Sequence, residues 1–541
     1  MKVYKMKVSI NQLPFILAVY YTVIINLPIA REIIHIIDGL ESVKIGFIIT
    51  IPFFFLAAFN FIFELFSWPK MAKPFFVFLL LTSSLVSYGM FNYGIYVDYG
   101  MIENLFETNT SEASSYLSLY SVLWVVFMGG LPAILLSLTK LEKISWKRFL
   151  ARKTVSITCS LLVVTVIAAL YYKDYASIGR NNKHLQKMII PTEYARATVK
   201  YINNTYFKKP MVYRELGLDA KLSKGDSSTT KPTLLVFVLG ETARVQNYQY
   251  YGYERETNAY TKPFDPVFFS HVESCGTATA VSVPCMFSNM NRGNYDKERA
   301  YHQDNAIDIM KRAGIHSVWI EHDGGDKGVA HQIKKKTIAP DDEDHHCSNN
   351  NCYDTDLLDS FEDDTKGLQQ DSILFYHISG SHGPTYYKRY PSSHRRFAPD
   401  CPRSDIENCT NEEVVNSYDN TILYTDFFIA QTIEKLQKLE DEYNVALIYI
   451  SDHGESLGEN GIYLHGMPYS LAPPEQTHVP MMFWASDALL KNKHLDTECL
   501  RKIGKEQSFS HDNLFDSLLG FMDVATSEYR KKQDIFALCR S

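Results

Sequence analysis

The chain has 541 residues, 46% of them apolar, and a formal net charge of −7. That length exceeds what one hydrophobic core organises, so at least two domains are expected. The acidic balance offers no electrostatic footprint for nucleic acid, and none is expected as a partner.

In chain order, the first 173 residues carry five long apolar segments, near 11–31, 45–66, 74–94, 117–138 and 154–172. Each approaches the roughly 20 residues that cross a hydrocarbon core. Five in succession, with almost no internal charge, read as transmembrane helices rather than core helices. Lys2, Lys5, Lys7, Lys70, Lys73, Lys140, Lys143, Lys147, Arg148, Arg152 and Lys153 fall on the N-terminus and on the second and fourth connections. Only Arg31 and Lys44 fall on the first and third. This excess places the N-terminus inside and, after an odd number of spans, everything beyond residue 173 outside. The first span lacks a small-residue cleavage site and is expected to remain as an anchor.

Residues 174–230 read as a connector. IPTEYARATVKYINNTYF (190–207) has near-helical apolar spacing with basic residues between, as in a helix lying along a membrane surface. KLSKGDSSTTKP (221–232) reads as a flexible joint. Across 231–541, apolar runs at 233–240, 317–322, 372–379, 445–451 and 479–486 alternate with helical patterns at 305–314 and 416–439. That alternation predicts an α/β domain with a mainly parallel sheet and helices on both faces.

Cysteine usage points to the same sidedness. Of nine cysteines only Cys159 lies in the membrane part. Cys275 with Cys285, Cys347 with Cys352, and Cys401 with Cys409 are closely spaced couples that suit disulfides in an oxidising compartment. Cys499 with Cys539 is a more distant candidate. No C-x-x-C meets a second one, which disfavours a cysteine-ligated metal. The acidic run DDEDHH at 341–346 reads as a solvated loop.

Three of the predicted strands end in metal-type ligands: LLVFVLGETAR supplies Glu241, ILFYHISGSHGP supplies His382, and ALIYISDHGES supplies Asp452 and His453. In open α/β sheets, sites form just beyond the carboxyl ends of parallel strands, so these endings converge. A carboxylate closing a buried strand is costly without a partner, and a divalent cation is the simplest one. A salt bridge from Glu241 to Arg244 is the bland alternative. The mixed oxygen and imidazole set favours Zn²⁺ over Mg²⁺. The hydroxyl-rich segment SCGTATAVSVPC, pinned by Cys275 and Cys285, is expected to open a helix whose N-terminus favours an anion. Composition leaves Thr277, Thr279 and Ser282 as candidate nucleophiles, with cap or turn roles preferred for Thr277 and Ser282.

GETAR at 240–244, CGTATAVSVPC at 275–285, HGP at 382–384, SDHGESLGENGIYLHG at 451–466 and the five-span anchor together resemble the phosphoethanolamine transferases of Gram-negative inner membranes. The match is to the lipid A-modifying branch that includes the mobile colistin-resistance enzymes. The resemblance implies a transmembrane helical bundle (1–173), an interfacial helix and linker (174–230), and an alkaline phosphatase/sulfatase-like periplasmic domain (231–541). It implies that Thr279 is the nucleophile and that Glu241, Thr279, Asp452 and His453 hold Zn²⁺. It further implies that His382 and His465 handle the substrate phosphate or a second zinc, that Lys327 is its basic contact, and that Asn104, Thr108 and Glu112 line a substrate loop. Asp323 departs from the polar amide usual in the family, so that side of the pocket is expected to bind the ethanolamine amine differently. The implied reaction moves phosphoethanolamine from phosphatidylethanolamine to a phosphate of lipid A through a phosphothreonine, in a monomer, and confers polymyxin resistance. Transferases acting on core sugars or periplasmic glucan share these motifs. A sulfatase or phosphatase gives no reason for five spans. A sensor or transporter leaves the metal cluster unexplained, and Glu64, near a boundary, is almost the only ionisable group within the spans.

Overall fold

The computed structural model describes residues 7–39, 43–107, 116–142, 144–209, 211–223, 231–322, 324–338, 347 and 352–540. The chain divides into two units, Met1–Phe106 with Leu117–Lys208 and Glu107–Tyr116 with Lys209–Ser541.

The first unit contains four helices long and apolar enough to cross a membrane: Ile45–Phe66, Ala72–Tyr93, Leu119–Leu138 and Trp146–Asn181. A fifth span is formed if Leu13–Ile25 and Leu27–Asp38, bent by 58°, are taken as one. The bend falls at Asn26. Pro28 supplies no amide hydrogen to the second helix, and the Asn26 side chain is committed elsewhere, donating to the Ile190 carbonyl at 2.7 Å and accepting from the Ile190 amide at 2.9 Å. The last helical stretch is longer than its apolar window because Lys147–Lys153 extend it at the start and Lys173–Arg180 follow a kink at Tyr171, whose backbone (φ −127°, ψ 22°) is not helical. Large apolar side chains such as Phe53, Phe78, Phe127 and Leu162 face outward, while Ser83, Ser84, Glu64 and Lys153 are buried. Glu64 and Lys153 lie 3.7 Å apart. Helix Thr192–Ile202 also belongs to this unit.

The second unit is built on seven strands: β1 (Thr233–Gly240), β2 (Val267–Phe269), β3 (His316–Glu321), β4 (Lys334–Thr337), β5 (Ser372–His377), β6 (Asn444–Ser451) and β7 (Met481–Ala485). Their order across the sheet is β2-β7-β6-β1-β5-β3-β4. The four pairings from β6 to β4 are parallel, and only β7 joins its neighbours antiparallel. All residues of β1 and β6 are buried, as expected of central strands covered on both faces. Two strands escape the apolar pattern for a physical reason. β2 is only three residues long, and β4 is an edge strand of three lysines and a threonine, which blunts further pairing.

Register brings the polar endings to one side. Gly240 sits opposite Ser451, and Leu239 opposite His377, so Glu241, Asp452 and the loop after His377 leave the sheet together. Disulfides join Cys275 to Cys285, Cys347 to Cys352, Cys401 to Cys409 and Cys499 to Cys539. The last ties helix Thr497–Glu506 to the C-terminal turn Phe536–Cys539. Cys159 is free and exposed.

Candidate active site

Glu241, Asp452 and His453 present ligand atoms within 4.8 Å of one another, all from buried side chains. Their immediate surroundings fix which atoms point inward. Asp452 Oδ1 accepts from the amides of Thr242 at 3.2 Å and His453 at 2.7 Å, whereas its buried Oδ2 has no hydrogen-bond partner. The Gly454 carbonyl, 3.0 Å from His453 Nδ1, can only accept, so that nitrogen carries the proton and Nε2 offers a lone pair. His453 Nε2 lies 3.3 Å from Asp452 Oδ2 and 3.4 Å from Glu241 Oε1. Burial pushes the Asp452 carboxyl up and holds the His453 imidazole well below its usual value, hence neutral. Two inward carboxylates and a neutral imidazole lone pair, with one carboxylate oxygen orphaned, form a donor set that fits a divalent cation.

Thr279 closes this cluster. It is the first residue of helix Thr279–Met286, at the positive end of the helix dipole. Its Oγ1 lies 3.1 Å from Glu241 Oε2 and 3.4 Å from His453 Nε2. The neighbouring hydroxyls are spent on backbone: Thr277 Oγ1 donates to the Met467 carbonyl at 2.5 Å, and Ser282 Oγ accepts from the Gly276 amide at 2.9 Å. Arg244 turns away to Asn247, the Glu455 carbonyl and Glu459.

The two other histidines stand beside the cluster. The rings of His453 and His465 are 4.5 Å apart between centroids, and those of His465 and His382 are 5.2 Å apart. His465 Nδ1 donates to Glu455 Oε2 at 2.7 Å, and Tyr386 Oη donates to Glu455 Oε1 at 2.7 Å. His382 Nδ1 instead faces Arg389 Nη2 at 3.4 Å. The loop carrying His382 passes tightly under Glu241: Gly380 has φ +48°, and a Cβ there would lie 2.7 Å from the Glu241 carbonyl oxygen.

Lys327 lies on the loop after β3, and its Nζ would be 3.3 Å from a Cβ at Gly324. The same loop reaches the site through Gly325, whose carbonyl accepts from His377 Nδ1 at 3.2 Å. Asn104 is on helix Tyr99–Glu107, in the first unit by its position. Thr108, Glu112, Asp323 and the run at 341–346 lie outside the described residues.

Sequence reasoning missed three polar contributors. His377 ends β5 with Nε2 3.7 Å from Glu241 Oε2. Glu455 backs His465, and its place two residues after His453 was the only signal. Asp354 pairs with His322 at 2.9 Å and accepts from the amides of Ser379 and Gly380, holding the loop that carries His382.

A hydroxyl at a helix N-terminus within a carboxylate and imidazole cluster, beyond the carboxyl ends of a mostly parallel sheet, defines the alkaline phosphatase/sulfatase-like class. Comparison agrees: residues 233–524 match the sulfatase family, and residues 55–206 match the phosphoethanolamine transferase EptA/EptB family. The chain is similar to the phosphoethanolamine transferase EptA of Escherichia coli K12, 37% identical over 98% of both chains. It is 32% identical to the phosphatidylethanolamine transferase Mcr-1 of Escherichia coli over 96% of both. An integral membrane lipooligosaccharide phosphoethanolamine transferase A (EptA) from Neisseria meningitidis, 35% identical, superposes with a TM-score of 0.94 over 99% of both chains. The chain belongs to the EptA phosphoethanolamine transferase family.

Proposed function

We propose that this protein transfers phosphoethanolamine from phosphatidylethanolamine to a phosphate of lipid A, at the outer face of a Gram-negative inner membrane. The observation that carries this reading is the Thr279 hydroxyl, 3.1 Å from Glu241 and 3.4 Å from His453 at a helix N-terminus. In this reading residues 1–173 anchor the enzyme, 174–230 lie at the interface and 231–541 form the periplasmic catalytic domain. Donor and acceptor are both lipids, which gives the anchor its purpose.

Glu241, Thr279, Asp452 and His453 would hold Zn²⁺, which when bound acts as a Lewis acid on the transferring phosphoryl group and on the threonine hydroxyl. Thr279 Oγ1 attacks phosphorus in line, its proton leaving toward Glu241, and the bond from phosphorus to the diacylglycerol oxygen breaks. His465 protonates that oxygen. Its Nδ1 is held by Glu455 at 2.7 Å, which orients the ring for proton transfer, whereas His382, beside Arg389, contacts the phosphate. A lipid A phosphate oxygen then attacks phosphorus, its hydroxyl proton passing to His465, the bond to Thr279 breaks, and Glu241 returns the proton to the threonine hydroxyl. Lys327 offsets charge on the group in flight. The added amine lowers the negative charge of the outer surface, and polymyxin resistance follows.

The test is incubation of the full-length protein with phosphatidylethanolamine, followed by peptide mapping by mass spectrometry. A phosphoethanolamine adduct on Thr279 is expected; an adduct elsewhere, or none in trapped enzyme, overturns the mechanism. Mass analysis of lipid A from expressing cells tests the acceptor, since modification of a core sugar instead would exclude lipid A phosphate.

A further inference from the structure

Where the last long helix, Trp146–Asn181, meets the turn Lys183–Met188 and helix Thr192–Ile202, the first unit forms a cup of about 500 Å³. Arg180, Lys183, Gln186, Lys187, Glu193 and Arg196 line it. Its positive charges are unequally committed. Lys187 is paired with Asp98 at 3.0 Å, and Arg196 is held by Glu193 through Nη2 at 2.5 Å and Nε at 3.0 Å. Arg180 and Lys183 form no ion pair among the described residues, and both are exposed. Four cations against two carboxylates leave the cup two positive charges in excess.

The surroundings of the cup are those of a bilayer face. It lies directly after an apolar span, and on helix Thr192–Ile202 three kinds of face separate. Glu193, Arg196 and Lys200, spaced by three and four residues, share the charged side. Tyr194 and Ala197 are buried, and Val199 and Ile202 are 68% and 40% exposed. Tyr206 and Phe207 follow, 71% and 77% exposed. Such a three-way division suits a helix at an interface, with apolar side chains in the acyl region and charges at headgroup depth.

We propose that this cup binds the phosphate group of an anionic membrane phospholipid. Arg180 meets the phosphate with its planar fork of donors, Lys183 adds a second charge, and Gln186 contributes an amide to the same rim. Arg196, already held in a fork with Glu193, shapes the wall rather than making the first contact. Val199 and Ile202 lie on the adjoining face, where acyl chains of a bound lipid run. The site shares no residue with the Thr279 cluster, so it stands whether or not the transfer reading holds. Lys187 also holds Asp98, whose Oδ1 accepts from the amides of Gly100 and Met101 at the start of the helix that carries Asn104.

The experiment uses the full-length protein in detergent and native mass spectrometry, with dioleoylphosphatidylglycerol as the anionic probe and dioleoylphosphatidylcholine as the zwitterionic one. Wild type is expected to retain phosphatidylglycerol in preference to phosphatidylcholine. Arg180→Ala with Lys183→Ala should weaken phosphatidylglycerol retention roughly tenfold to thirtyfold, as loss of two interfacial cations implies. Lys147→Ala with Arg148→Ala, at the other end of the same helix, should leave it unchanged. If the alanine pair melts early, Arg180→Gln with Lys183→Gln gives the same reading with less change of shape. Equal retention by wild type and either Arg180/Lys183 double variant overturns the proposal. So does displacement of the lipid by an equal concentration of inorganic phosphate, which would make the cup a free-anion site.

Discussion

The two units of this protein handle polar groups differently. In the helical unit polar side chains such as Asn26, Asn60, Glu64, Ser83, Ser84, Ser87 and Lys153 are buried among apolar ones such as Phe59, Phe63, Phe76 and Leu80, while many other phenylalanines and leucines face outward. In the α/β unit, β1, β5 and β6 form an apolar interior, and the polar groups gather where those strands end. The solvent explains the difference. In a bilayer, apolar side chains gain nothing by leaving the surface, so helices are joined by hydrogen bonds and close packing. In water the sheet buries its apolar runs, and polar groups are held inside where backbone donors and neighbouring side chains satisfy them, at the strand ends and also on helix Asn411–Gln437, whose Asp419 and Asp426 are buried and hydrogen-bonded. The helical unit thus uses buried polarity for cohesion, and the α/β unit also gathers some of it into a reactive cluster at its strand ends.

The largest expected effect tests that concentration. Thr279→Ala should abolish transfer, lowering turnover at least about a thousandfold, while leaving the melting of the protein close to wild type. Radiolabelled donor turnover measures the first and scanning calorimetry the second. Asp452→Asn, or removal of metal with a chelator, should silence turnover and also lower the melting temperature, because the buried carboxylates then lose their counter-charge. If chelation leaves both unchanged, the cluster is not a metal site.

The helical unit makes a matching prediction about cohesion. Lys153 Nζ donates to the carbonyl oxygens of Glu64 and Ser67 and lies 3.7 Å from the Glu64 carboxylate, joining helices Ile45–Phe66 and Trp146–Asn181. Lys153→Met alone should cost about 3–5 kcal/mol by stranding the buried carboxylate, and adding Glu64→Leu should recover most of it. Thermal unfolding of both variants in detergent decides. If the two changes simply add, the pair does not act as a unit.

The parts of this design that were legible in the sequence were those written within one element. Continuous apolar runs gave away β1, β5 and β6, and with them Glu241, Asp452 and His453 at their ends. Cysteine spacing gave away three disulfides. What stayed hidden depends on partners far along the chain. The bend in the first span depends on Asn26 meeting Ile190, 164 residues away. His377 was lost inside the run ILFYH, because a histidine closing a buried strand looks like strand interior. β4 was lost because edge strands are solvated, and three lysines carry no apolar pattern. Thr279 is set apart from Thr277 and Ser282 by a preference for cap or turn roles at those two and is named as nucleophile only by family resemblance; the structure adds that Met467 and Gly276 engage the other two hydroxyls.

Glu455 is another contact that needs the folded hairpin. Ser456 pairs with Leu464 across two short strands, which sets Glu455 beside His465. If His465 carries the leaving-group proton, Glu455→Gln should lower kcat by about a hundredfold with little change in KM. Metal content measured by atomic absorption should stay at the wild-type level. A loss of metal that tracks the loss of activity would mean instead that Glu455 acts by holding the cluster together.

The smallest effect separates a strand end from an ordinary turn. Gly367 and Gly380 both adopt positive φ, +73° and +48°, so alanine at either costs roughly 1–2 kcal/mol of backbone energy. They differ in what surrounds them. A Cβ at Gly367 meets nothing within 4 Å, whereas one at Gly380 meets the Glu241 carbonyl oxygen at 2.7 Å. Gly367→Ala should therefore shift only the melting temperature. Gly380→Ala should shift it further and also cut turnover, because the backbone that must yield is the one carrying Glu241. Equal turnover in the two variants would show that the cluster tolerates movement at its strand ends.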